Sequence, residues 1–158
     1  MKNVFITGGA GYIGSHCVVS LANNNYNPII LDNFSNSHRS VIKNLEKIIK
    51  KKITVFNVDI RNKKKLKSIF RKKSCYAVIH CAGYKAVAES LQRPMFYFDN
   101  NIMSTLSLLE CMEDSRVFKI IFSSSAIVYN DAQPLPLKET SKIGNTNNIC
   151  KYILSQPN

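Results

Sequence analysis

Three glycines, Gly8, Gly11 and Gly14, stand at G-x-x-G-x-x-G spacing inside VFITGGAGYIGSH, which runs from Val4 to His16. An apolar run precedes them and a helical pattern follows, so they sit where a strand turns into a helix. At such a turn Gly8 permits the tight bend, Gly11 lets backbone N–H groups approach a pyrophosphate, and Gly14 lets helix and strand pack closely. The anion lies at the positive end of the helix dipole. Asp32 ends the next apolar run, 18 residues beyond Gly14. A carboxylate there accepts from both ribose hydroxyls and repels a 2′-phosphate. The chemistry is dinucleotide binding, with NAD favoured over NADP. Arg39, whose guanidinium could hold a 2′-phosphate, lies beyond Asp32 and reads as surface or phosphate-facing.

The elements that must carry these residues alternate regularly. The β-like runs NVFITG, PIILD, ITVFNVD, YAVIHCAG and FKIIFSSS are separated by helical patterns at Ile13–Leu21, Val41–Ile49, Leu66–Phe70 and Phe98–Met112. Strand and helix in alternation predict an α/β fold: a Rossmann-like, doubly wound parallel sheet with right-handed crossovers and helices on both faces. After Ser125 the text carries Pro134, Pro136 and a polar Asn/Thr run, so residues 130–158 are expected to be irregular. The expectation is one dinucleotide-binding domain over 1–158, incomplete and truncated after about five strands, with no substrate domain behind it.

Composition narrows the partners. The net charge of +12 comes largely from KNLEKIIKKK and RNKKKLKSIFRKK, where Leu45, Ile48 and Ile49, then Leu66, Ile69 and Phe70, recur at helical spacing. The lysines are the solvated faces of two amphipathic helices, and nucleic acid is not expected as a partner. Cys17, Cys75, Cys81, Cys111 and Cys150 are odd in number and contain no CxxC pair, which argues against a disulfide framework or zinc ribbon and for a reduced, cytoplasmic protein. His16, His38 and His80 have no carboxylate or cysteine at metal-ligand spacing, so they read as packing or surface residues and no metal is expected. No apolar run is long enough for a secretory leader or a membrane span.

The ordered series TGGAGYIGSH, LDNFSNS, VDIRN, HCAGYKAVAES, FDNN, STLSLLE and FSSSAIVY resembles the extended short-chain dehydrogenase/reductase family, and within it the UDP-sugar 4-epimerases of galactose metabolism. The resemblance runs from Met1 to about Gly144. It implies that Tyr12 and Ile13 lie along the pyrophosphate of NAD, that Asp32, Asn33 and Ser37 surround the adenosine ribose, and that Asp59 and Ile60 flank adenine. It places Cys81, Ala82, Gly83 and Lys85 along the nicotinamide half, with Asn100 nearby. It also implies a homodimer formed through the helices that follow the third and fourth strands. Read without the resemblance, Asp59 is a helix cap, Lys85 a solvated charge and Cys81 a small buried group.

In that family a tyrosine base, a lysine four residues later and a serine at the end of the fifth strand act on the sugar oxygen. Ser125 takes the serine's place, with Ser124 as the alternative. No tyrosine in this chain has a lysine four residues on. Extending the register from Ser125 puts Cys150 at the tyrosine position and Leu154 at the lysine position, a pair that is not competent: leucine can neither hold ribose nor lower a pKa. The expectation is a UDP-glucose-type 4-epimerase relative, inactive alone, that meets a nucleotide sugar only if a missing C-terminal part completes it. The alternative is an NAD-binding, regulatory or partner-binding module without catalysis.

Overall fold

The computed structural model describes residues 1–125, 128–129 and 134–144. Five parallel strands form one sheet: β1 (Asn3–Thr7), β2 (Asn27–Asp32), β3 (Thr54–Asn57), β4 (Ala77–His80) and β5 (Ile120–Phe122). Their order is β3-β2-β1-β4-β5, so the winding reverses between β1 and β4. Ligands in open sheets of this kind bind beyond the carboxyl ends of the strands at that reversal.

Alternation along each strand feeds two cores. Phe5 of β1 lies in register with Ile29 and Val78, and this face packs on Leu66, Ile69 and Phe70 of α3 (Lys63–Lys72) and on Leu108, Cys111 and Met112 of α6 (Ser104–Asp114). Ile6, one residue on, points to the other face, where Ile30 meets Val18 of α1 (Tyr12–Asn23) and Leu45 of α2 (Ser40–Ile49). Both faces are covered, which is why β1 and β2 read as continuous apolar runs rather than alternating ones. The lysines of α3 take the outer side, and two of them pair with α6: Lys63 with Glu110 at 2.5 Å and Lys67 with Asp114 at 2.6 Å. Asn62 caps α3 by accepting from the Lys65 N–H at 3.1 Å.

The single helix expected over Phe98–Met112 is corrected by the structure. A short α4 (Val87–Gln92) leads to α5 (Pro94–Phe98), with Pro94 at its first turn. The chain then widens into a π-helical turn, Asp99–Met103, before α6. Such turns insert an extra residue and re-aim side chains, and this one faces the cleft through Asn100. β5 is the outer strand, and all three of its residues are exposed. Beyond Ser125, the described residues contain one isolated antiparallel bridge, Tyr129 with Ile143, and no further strand.

Candidate dinucleotide cleft

The glycine loop between β1 and α1 is built as tightly as its spacing demands. Gly8 has φ 66°, and a Cβ there would stand 2.8 Å from the backbone of Ala82. At Gly14 a Cβ would lie 2.2 Å from the Gly8 carbonyl oxygen, so the helix start rests directly on the loop. Gly11 precedes α1 in an extended conformation, with no side-chain cap and no acid in the first turn. The first N–H groups of α1 and its dipole are left available to an anion.

Asp32, 8% exposed, closes the floor. Its Oδ2 accepts from the Ala10 N–H at 2.9 Å, and its Oδ1 accepts from the Phe34 N–H at 2.8 Å and the Ser37 hydroxyl at 3.1 Å. The carboxylate is fixed by loops on both sides, with remaining acceptor capacity facing the cleft. Arg39 stacks on the Phe34 ring at 4.5 Å, which places it on the surface of this loop.

Asp59, in the loop between β3 and α3, is held by Arg61, which donates to it at 2.7 Å and also pairs with Asp99 of the π-helical turn. The guanidinium is the first cause that keeps the Asp59 carboxyl below its ordinary value. On the β4 side, burial and then the nearby Cys17 push the Cys81 thiol up to about 11, so Cys81 presents a neutral wall.

His80 lies beneath this wall, 2% exposed. Its Nδ1 is 2.6 Å from the Thr7 hydroxyl and its Nε2 3.0 Å from the Thr105 hydroxyl. Thr105 donates to the Asn101 carbonyl at 2.7 Å, so it accepts from His80 Nε2–H, and Nδ1 accepts from Thr7. Burial, followed by the charge on Lys85, holds His80 down to about 4. His80 is thus a neutral packing residue that links β1, β4 and α6.

The cavity between these walls measures about 110 Å³ and opens to solvent. Of the residues expected at the site, Gly8, Gly11, Asp32, Asn33, Ser37, Asp59, Ile60, Cys81, Ala82, Gly83 and Asn100 line it together. Gly14 acts behind the loop, as its packing role requires. Tyr12 and Ile13 stand exposed at the start of α1, and Lys85 is exposed; none of the three is part of the lining. Ser125 is exposed and also outside the lining, while Cys150 and Leu154 lie outside the described residues. Sequence reasoning missed Tyr84 and Ser35, which line the cleft, and Arg61 and Asn101, which support it. The motifs LDNFSNS, VDIRN, HCAGYKAVAES and FDNN contain all four, but nothing in their spacing shows where they reach.

Among the described residues no helix is long and apolar enough to cross a membrane. Comparison with known proteins agrees with the geometry. The sequence model of the GDP-mannose 4,6 dehydratase family matches residues 5–148. A UDP-glucose 4-epimerase of Dictyostelium discoideum is 48% identical over 144 residues, which are 91% of this chain and 42% of that protein. One from Neisseria meningitidis is 44% identical over 146 residues, 92% of this chain and 43% of that protein. The crystal structure of UDP-glucose 4-epimerase from Bifidobacterium longum in complex with NAD+ and UDP superposes with a TM-score of 0.87 at 40% identity, covering 90% of this chain and 43% of that one. The Stenotrophomonas maltophila enzyme, with bound NAD and formylated UDP-arabinopyranose, superposes with a TM-score of 0.87 at 34% identity, covering 98% and 48%. The chain therefore spans less than half the length of these relatives. With the family's pattern running from residue 5 to residue 148 and the fold superposing on that of UDP-glucose 4-epimerases, this chain belongs to the GDP-mannose 4,6 dehydratase family, where it is similar to UDP-glucose 4-epimerases.

Proposed function

We propose that the chain is the NAD-binding Rossmann portion of a UDP-glucose 4-epimerase-like protein. The observation that carries this reading is the cradle itself: a loop in which added carbons at Gly8 and Gly14 would meet backbone, opening an uncapped helix above a buried Asp32 carboxylate. These residues fit a dinucleotide. The loop and the start of α1 would hold the pyrophosphate, Asp32 with Asn33 and Ser37 the adenosine ribose, and Asp59 with Ile60 the adenine, leaving Cys81, Ala82, Gly83 and Asn100 to the nicotinamide half. Bound NAD supplies reversible hydride transfer.

Interconversion of UDP-glucose and UDP-galactose further needs a base and a grip on the sugar nucleotide. Ser125 is assigned the hydrogen bond to the sugar oxygen, but the sequence contains no Tyr-x-x-x-Lys pair. The chain alone is therefore assigned NAD binding without sugar turnover. That same absence favours, as a second reading, an NAD-responsive binding module with no catalytic duty. A homodimer contact is assigned to α3 and α6, where Leu106 and Leu109 stand partly exposed while Lys63 and Lys67 are taken up by acids of α6.

Thermal melting with and without NAD tests the assignment. A ligand that binds only the folded chain at about a hundred times its Kd adds roughly 2.7 kcal/mol, so the midpoint rises by several degrees. A melt indifferent to saturating NAD would remove the assignment. Asp32→Asn is expected to weaken NAD about thirtyfold, the loss of about 2 kcal/mol of charge-assisted hydrogen bonding to ribose. It should also narrow the gap between NAD and NADP, because the charge that repels a 2′-phosphate is gone. Titration calorimetry with both dinucleotides reads this directly.

A further inference from the structure

A closed circuit of polar contacts surrounds the mouth of the cleft. It begins in the π-helical turn, where the Asn101 side chain brackets the backbone of Tyr84: Oδ1 accepts from the Tyr84 N–H at 2.8 Å and Nδ2 donates to its carbonyl at 3.0 Å. The Tyr84 ring stacks on Phe96 at 5.1 Å and meets Tyr97 at 5.6 Å. Held at both backbone and ring, its phenol crosses to the β2–α2 loop and stands 3.1 Å from the Ser35 hydroxyl. Ser35 donates to Asn33 Oδ1 at 2.8 Å, so it accepts from the phenol. The Asn33 amide lies beside Asp59, and Arg61 carries the circuit from Asp59 back to Asp99 in the π-helical turn.

The β2–α2 loop needs such support. Phe34 has φ 58°, a conformation costly for a residue with a Cβ. Asp32 secures the loop from behind through the Phe34 N–H and the Ser37 hydroxyl, and Tyr84 secures it from the opposite wall.

We propose that Tyr84 is a positioning residue for the adenosine half of NAD, fixing the Asn33 side chain through the Ser35 hydroxyl. The proposal rests on the NAD assignment above and goes beyond it by naming what holds the ribose and adenine contacts in place. Tyr84→Phe retains the stacked ring and loses only the phenol; Ser35→Ala breaks the same link from the other side.

The test uses the 158-residue chain, with NADH followed by fluorescence and ADP-ribose as competitor, in equilibrium and stopped-flow modes. Each variant is expected to weaken NADH and ADP-ribose alike by about three- to tenfold, the effect of one neutral hydrogen bond. The loss should fall in the dissociation rate, with the association rate and the ligand-free melting midpoint little changed. The double variant should be no worse than either single one, because both remove one link. Unchanged affinities would overturn the proposal. So would a parallel rise of both rate constants at constant Kd, which would make Tyr84 a gate rather than a positioner. If the parent chain binds neither NADH nor ADP-ribose, the NAD assignment falls and this proposal with it.

Discussion

Gly14→Ala is expected to destabilise the chain by about 3 kcal/mol or more and to abolish NAD binding. The added Cβ would lie 2.2 Å from the Gly8 carbonyl oxygen, 2.8 Å from the Gly9 Cα and 2.9 Å from the Gly8 carbonyl carbon. All three are backbone atoms. The loop cannot retreat, because the Gly8 N–H is bonded to Leu31 at 2.9 Å and Gly8 already abuts Ala82 on its other side. Overpacking a site that can relax costs about 1–3 kcal/mol, and a site walled by backbone belongs at or above the top of that range. Gly11→Ala is the control. Its Cβ would meet one atom, the Gly8 carbonyl oxygen at 3.2 Å, and its backbone angles suit any residue, so a loss of less than about 1 kcal/mol is expected. Urea unfolding of the two variants separates these cases. Equal midpoints would show that α1 does not rest on the loop as closely as the structure places it.

Acid should unfold the chain through His80. The group titrates near 6.5 when unfolded and is held at about 4 when folded. Between those values the unfolded chain binds the proton and the folded chain does not, so stability is fully present above about pH 6.5 and falls as pH drops towards 4. By pH 4 the loss amounts to about 3 kcal/mol, since stability falls by about 1.36 kcal/mol for each pH unit over which only the unfolded chain is protonated. The geometry supplies the reason: Nδ1 would have to become a donor toward Thr7 in a site that is 2% exposed. In His80→Asn the amide can still reach the Thr7 hydroxyl and does not titrate. Its stability between pH 7.5 and 4 is expected to fall by about 3 kcal/mol less than the parent's, and parallel pH slopes would rule out His80 as the source.

What could be read from the sequence was what depends on local spacing. Gly14 is constrained by Gly8 and Gly9, a few residues away, so its role follows from the motif. The left-handed turn at Gly8 follows from it too, but the Ala82 backbone that Gly8 abuts lies 74 residues on and could not be read. Asp32 follows from the length of one helix and one strand. The sheet was legible because Phe5, Ile29 and Val78 on one face, and Ile6 and Ile30 on the other, leave continuous apolar runs. The circuit around the cleft was not legible. Tyr84 and Ser35 lie 49 residues apart, and Arg61 and Asp99 lie 38 apart, so their partners exist only once four loops converge at the carboxyl ends of the strands. The π-helical turn was hidden for another reason. Apolar residues continue through Phe98–Met112, and the periodicity that marks a helix does not reveal one extra residue per turn.

Among the described residues no strand pairs with the outer side of β5, and this bears on how copies of the chain behave toward one another. β5 shows apolar side chains on both faces, with Ile121 64% and Phe122 54% exposed and Phe118 just before them 77% exposed. An apolar edge of this kind is a template onto which another strand can pair. The net charge of +12 opposes such encounters through space, while the edge favours them at contact. Salt acts on only one side of that balance: at about 0.15 M the repulsion is screened within about 8 Å, and the apolar edge is untouched. Colloidal stability of this chain is thus a function of ionic strength, with dilute buffer keeping copies apart and added salt bringing their edges together.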